Sequence, residues 1–161
     1  IRDQEPIILE EISLLIVGNG EEEFFLKQYS TNLNLNKHVH FLGYKEESVN
    51  YINCCDLFVF PSIAAEDMPL VILSAMNLGR TIIATDLAGI KEEIEDKKSG
   101  ILISANPETL SQDLANSIIE LYHSDNSAMR AKAKERYSRL FSNSAYGKKI
   151  LDIYKSSIRN R

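Results

Sequence analysis

The runs Leu14-Leu15-Ile16-Val17, Leu57-Phe58-Val59-Phe60 and Thr81-Ile82-Ile83-Ala84 constrain the fold more than any other feature. Each is apolar at nearly every position instead of alternating with polar residues. A strand that is apolar on both faces is covered on both faces, which is the habit of a parallel sheet sandwiched between helices. Two further segments, His38–Leu42 and Gly100–Ser104, read as strands of the same sheet. Between them lie helical segments: Glu21–Leu35, Glu46–Cys54, Leu70–Leu78 and a short one over Ile90–Asp96. Strands alternating with helices make βαβ units, so the spacing predicts a doubly wound α/β domain of the Rossmann-like kind.

The second half of the chain changes character. Pro107–Tyr122, Ser127–Leu140 and Ser144–Ile158 read as C-terminal helices with no strand between them. Residues 1–12 read as a linker or the end of a truncated helix, and residues 13–161 as the domain. The chain has 161 residues, the size of one domain or of one half of a larger enzyme.

Composition excludes several classes of function. A formal net charge of −5 argues against nucleic-acid binding, whose footprint is basic. Pro69–Met76, among the longest apolar runs, is too short to span a bilayer. The only cysteines, Cys54 and Cys55, are adjacent and make a poor disulfide staple, so the chain reads as cytoplasmic. The first residue is Ile, which leaves the natural N-terminus open.

In an open parallel sheet, ligands bind outside the carboxyl ends of the strands. That places Gly18–Gly20, Gly43–Lys45, Pro61–Met68 and Thr85–Gly89 where chemistry is expected. The most informative loop is Ala64-Ala65-Glu66-Asp67-Met68-Pro69, which runs into the helix from Leu70. Pro69 suits a helix start because it has no N–H to leave unpaired. The amides of Leu70, Val71 and Ile72 then face outward and attract anions such as phosphate. Glu66 cannot bind phosphate, but its carboxylate can accept hydrogen bonds from sugar hydroxyls. The alternative is that Glu66 and Asp67 only complement the helix dipole.

Other candidate motifs are weaker. Gly18-Asn19-Gly20 begins like a dinucleotide fingerprint, but position 23 is Glu, and Glu21–Glu23 would repel a pyrophosphate. The turn is a tight strand-to-helix connection, and Gly18 and Gly20 remain donor-side candidates only through their place at the strand end. His38 and His40 share a strand face without further ligands, so no metal site is expected. No Asp-x-Asp clamp, Walker loop or Gly-x-Ser-x-Gly elbow occurs.

The series LLIVGNGEEEFFL, VHFLGY, DLFVFPSIAAEDMPLVILSAMNLGRTIIATDLAGIKEEI and SGILI resembles the C-terminal half of retaining glycosyltransferases of the GT-B fold, in the glycosyl transferases group 1 (GT4-type) family. The resemblance implies a nucleoside-diphosphate-sugar donor site, no metal and no further cofactor. It implies Glu66 as the donor-sugar contact, and Met68, Leu70 and Val71 as backbone beside the diphosphate. Gly43 and Tyr44 fall at the nucleobase, and Gly89 and Glu92 match the family's post-strand loop, with Ala88 where a second glycine is usual.

One departure stands out. The family's second Glu, a ribose ligand, is Ser74 here. Serine is shorter and neutral, and each charge-assisted bond lost would cost about 1.5–3 kcal/mol. The family's basic pair would lie before Leu14, with Arg2 the one candidate remnant. The resemblance implies an N-terminal acceptor-binding domain outside this chain, through which membrane association would come. The implied activity is sugar transfer from a nucleoside-diphosphate donor to an acceptor hydroxyl in polysaccharide or glycoconjugate biosynthesis. Two alternatives are a non-catalytic sugar-nucleotide-binding module and an epimerase on the same architecture.

Overall fold

The computed structural model describes residues 1 and 4–159, so Arg2 lies outside the described residues. Among the described residues five parallel strands alternate with helices, and three helices follow. The strands are β1 (Leu14–Val17), β2 (Val39–Gly43), β3 (Leu57–Phe60), β4 (Thr81–Thr85) and β5 (Ile101–Ile103). The helices are α1 (Pro6–Glu11), α2 (Glu23–Asn32), α3 (Ser48–Cys54), α4 (Leu70–Asn77), α5 (Ala88–Glu93), α6 (Leu110–Tyr122), α7 (Ser127–Leu140) and α8 (Asn143–Arg159).

The core is built on β4, which is buried at every position. Successive side chains of a strand point to opposite faces. Ile82 and Ala84 accordingly join Ile72, Ala75 and Met76 of α4, Ile90 of α5 and Ala133 of α7 on one side. Ile83 joins Ile103 and Leu121 on the other, with Leu110, Leu114 and Ile118 of α6 packed against them. Helices on both faces of a parallel sheet are the doubly wound arrangement expected from the apolar runs.

The strands do not form one sheet. Among the described residues β1 pairs only with β2, and β3, β4 and β5 form a separate three-stranded sheet in that order. The β1–β2 pair contributes nothing to either buried cluster, and Leu14 and Leu15 are 50% and 42% exposed. Local apolar runs identify strands and their direction, but strand order is a long-range property they do not encode.

Helix ends also differ from the sequence expectation. α2 starts at Glu23, not Glu21, because Gly20–Glu22 form a turn whose Gly20 carbonyl accepts from the Glu23 amide at 3.1 Å. It stops at Asn32, not Leu35. Asn34 takes a left-handed φ of 56°, and the amides of Asn34 and Leu35 bond back to Thr31 and Ser30 at 2.9 Å each. That is a Schellman stop with asparagine in the left-handed position. α4 ends the same way, with Gly79 at φ 63° and the amides of Gly79 and Arg80 returning to Met76 and Ala75. α5 runs over Ala88–Glu93, ahead of the Ile90–Asp96 expected; the chain then turns at Lys97 (φ 60°), with an isolated bridge between Asp96 and Gly100, before β5 pairs with β4 from Ile101.

Candidate functional site

The loop Pro61–Pro69 leaves the carboxyl end of β3 and feeds α4. β3 and β4 are paired up to Phe60 and Ala84. Pro61 has no amide to extend the ladder. The next contact is made by a side chain: the Thr85 hydroxyl, fully buried, donates to the Ser62 carbonyl at 2.6 Å. The Ser62 hydroxyl then donates to Oε1 of Glu66 at 3.0 Å. Glu66 is thereby fixed on one oxygen, and Oε2 has no bond to any described residue.

Pro69 is the N-cap of α4, one position earlier than a first-turn proline. Its carbonyl accepts from the Ile72 amide at 2.9 Å. The expectation that Ile72 offers a free N–H is therefore corrected: the first turn tightens and consumes it. The amides of Leu70 and Val71 have no acceptor among the described residues. They lie at the positive end of an eight-residue helix whose first side chain, Leu70, is 73% exposed. Met68 precedes them, also exposed. The site thus offers anion-seeking N–H groups and a half-free carboxylate four residues apart in sequence.

Ser74 lies one turn further along α4. Its hydroxyl donates to the Leu70 carbonyl at 3.0 Å, so its single proton is spent within the helix. Gly89, at the start of α5, is buried against the acidic loop. Glu92 is exposed, and its carbonyl accepts from the Arg136 guanidinium at 2.8 Å.

A second group of expected residues sits together at the ends of β1 and β2. The Gly18 amide donates to the Gly43 carbonyl at 2.9 Å. Both glycines have positive φ, 127° and 67°. A Cβ on Gly43 would come 3.3 Å from the Asn19 side-chain oxygen, so the two loops touch. Tyr44 follows, 72% exposed, and Gly20 is exposed beside Asn19. No hydrogen bond among the described residues joins this pair of loops to the Glu66–Ser74 group.

Clefts lie elsewhere. One of about 410 Å³ is lined by Lys45, Glu46, Glu47, Asn50, Tyr51 and Cys54, and another of about 220 Å³ lies between the Glu95–Ser99 turn and α7. Neither is lined by a residue of the Glu66 loop or of α4. At the Glu66 face the structure shows hydrogen-bonding groups: the Glu66 carboxylate and the Leu70 and Val71 amides. Cys55 donates its thiol proton to the Ile52 carbonyl at 3.1 Å, and burial pushes that thiol up from its ordinary pKa. Among the described residues no cluster of His, Cys, Asp and Glu could hold a metal, and no helix is long and apolar enough to cross a membrane.

Sequence reasoning missed Ser62 and Thr85. The only available signal was a threonine closing an otherwise apolar strand and a serine directly after Pro61. It also missed Glu93, which is fully buried with neither carboxylate oxygen hydrogen-bonded to a described residue. Burial without a partner pushes its pKa up to about 7. Arg136 passes beside it but donates from Nε to the Glu93 main-chain carbonyl at 2.7 Å.

A parallel α/β domain with a helix N-terminus and a carboxylate at its carboxyl edge is the architecture of nucleotide-handling proteins in general. Comparison narrows it: residues 3–138 match the model of the glycosyl transferases group 1 family, and the chain belongs to that family. The Escherichia coli UDP-Gal:alpha-D-GlcNAc-diphosphoundecaprenol alpha-1,3-galactosyltransferase is 37% identical over 93 residues, 57% of this chain and 24% of that protein. The amylovoran biosynthesis glycosyltransferase AmsK of Erwinia amylovora is 33% identical over 113 residues, 66% of this chain and 27% of that protein. The chain thus spans about a quarter of the length of the curated relatives it matches. The Anabaena protein HepE, solved with UDP and glucose, superposes with a TM-score of 0.80 at 24% identity, over 95% of this chain and 45% of that one. The fold is that of the C-terminal domain of GT-B glycosyltransferases.

Proposed function

We propose that this chain is the donor-binding domain of a glycosyltransferase that moves a sugar from a nucleoside diphosphate to an acceptor hydroxyl in polysaccharide or glycoconjugate assembly, with retention of anomeric configuration. One observation carries the reading. A carboxylate with one oxygen tied and the other free stands just ahead of the unpaired Leu70 and Val71 amides. Those amides suit the diphosphate, and Glu66 suits the hydroxyls of the sugar attached to it. As the glycosidic bond breaks, charge builds on the departing diphosphate. The fixed N–H groups and the α4 dipole stabilise that charge without reorganising. The complexes of the Anabaena relative with UDP and with UDP-glucose support a nucleotide-sugar ligand of this kind. The Gly18 and Gly43–Tyr44 loops are assigned to the base side of the donor.

The acceptor and the remaining diphosphate charges are assigned to a second domain of the same protein, through which any membrane contact would be made. No metal or other cofactor is assigned, and the protein is placed in the cytoplasm. On this reading the 161-residue chain binds donor but transfers no sugar. A second reading, a non-catalytic sugar-nucleotide module, is favoured by the Ser74 hydroxyl bonding to its own helix instead of facing a ribose.

Calorimetric titration with a panel of nucleoside diphosphates and their sugars tests the site, and Glu66→Ala in the intact enzyme tests the chemistry. Transfer is expected to fall far more than nucleoside-diphosphate affinity. Equal loss of both would assign Glu66 to the fold. Binding without transfer in the intact protein would favour the module.

A further inference from the structure

The Glu66 carboxylate does not hold its own position, because it sits on a nine-residue loop between β3 and α4 with no secondary structure to aim it. Two consecutive side-chain bonds connect it to the most buried strand of the molecule. Thr85 is the last residue of β4, fully buried, with its main chain in register with Ile103 of β5. Its hydroxyl reaches across the point where Pro61 ends the β3–β4 ladder and fixes the Ser62 carbonyl at 2.6 Å. Ser62, so held, donates its only hydroxyl proton to Glu66 Oε1 at 3.0 Å. A hydroxyl has one proton to give, so the geometry fixes which group is donor and which is acceptor.

We propose that Ser62, seated by Thr85, is the positioning residue that aims the Glu66 carboxylate at the donor sugar. The relay engages Oε1 and leaves Oε2 free to accept from a substrate hydroxyl. It also gives a loop residue the rigidity of a core strand, which a side chain with three rotatable bonds otherwise lacks. This rests on the donor-sugar role proposed for Glu66 above, and it assigns Ser62 and Thr85 no contact with substrate.

The test is a double-mutant cycle in the intact enzyme, with the sugar nucleotide bound best in the titration panel and its nucleoside diphosphate as inhibitor. Ser62→Ala is expected to lower kcat about tenfold, the worth of one hydrogen bond to a charged group, with the inhibition constant of the nucleoside diphosphate unchanged. Ser62→Thr keeps the hydroxyl and should restore kcat. Thr85→Val should reproduce part of the loss, and Thr85→Ser should not. In a Glu66→Ala background, Ser62→Ala should cost nothing more. Circular dichroism melting of each variant separates misfolding from misaiming, and Ser62→Thr remains informative if Thr85→Val unfolds. A full tenfold loss from Ser62→Ala in the Glu66→Ala background would overturn the relay while leaving the role of Glu66 intact. So would no loss in the wild-type background. Undiminished transfer by Glu66→Ala alone would instead overturn the reading on which the relay rests, and the relay with it.

Discussion

Gly89 lies directly against the main chain of Asp67: a Cβ at position 89 would fall 1.5 Å from the Asp67 carbonyl oxygen and 2.6 Å from that of Glu66. The obstacle is backbone, which cannot swing aside as a long side chain would. The acidic loop and the start of α5 are therefore interlocked, and the loop can occupy its place only because residue 89 has no side chain.

Gly89→Ala should consequently push the Glu66–Asp67 loop away from α5. Inserting a methyl group where none fits costs about 1–3 kcal/mol. Urea denaturation should show a lower midpoint, and nucleotide-sugar binding should weaken beyond what the stability loss explains. An unchanged midpoint would mean that the two loops separate freely and that the close packing carries no energy.

Ser74→Glu should tighten nucleoside-diphosphate binding by about tenfold or more, the worth of one charge-assisted hydrogen bond. The serine spends its proton on the Leu70 carbonyl. A carboxylate has no proton to spend there and must point outward, along the helix face that carries Leu70. Calorimetry on the variant checks this, and weaker binding would place the ribose elsewhere.

The elements and the candidate loop ahead of α4 were legible in the sequence because both are local. Apolar runs such as Leu57–Phe60 and Thr81–Ala84 announce strands, half-buried in β3 and fully buried in β4, and Pro69 announces a helix start within one residue of its place. What stayed hidden depends on contacts between distant segments. The division of the strands over two sheets follows from pairing, not pattern. The Thr85–Ser62 bond spans 23 residues, and no periodicity encodes it. Glu93 reads as one more charge in the run Glu92-Glu93, yet the fold of α5 turns it inward.

The isolated pairing of β1 with β2 predicts an uneven exchange pattern. Leu14 and Gly18 donate their amides towards β2, to His38 and Gly43. Donors alternate sides along a strand, so the amides of Leu15 and Val17 face the unpaired edge. Amide hydrogen exchange should be fast at Leu15 and Val17 and slow at Ile82 and Ile83 of β4, which lies between two partners. Equal protection at all four would show that β1 pairs on its second edge as well.

Glu93 makes the stability of the protein depend on pH in a defined window. Its carboxylic acid is fully buried without a hydrogen-bond partner, and desolvation raises its pKa from the ordinary 4.5 to about 7. Below pH 4.5 the group is protonated in both the folded and the unfolded chain, and its contribution is fully retained. Between 4.5 and about 7 the unfolded chain releases the proton while the folded one keeps it, so stability falls as pH rises. Above about 7 both are ionised and the loss is complete, on the order of 3 kcal/mol. Glu93→Gln removes the titration and should flatten the urea midpoint across that window. Glu93→Leu removes the polar group as well and should raise the midpoint at pH 8, where the wild-type protein holds a buried unpaired charge. A wild-type slope between pH 5 and 7 that survives in Glu93→Gln would assign the titration to another group.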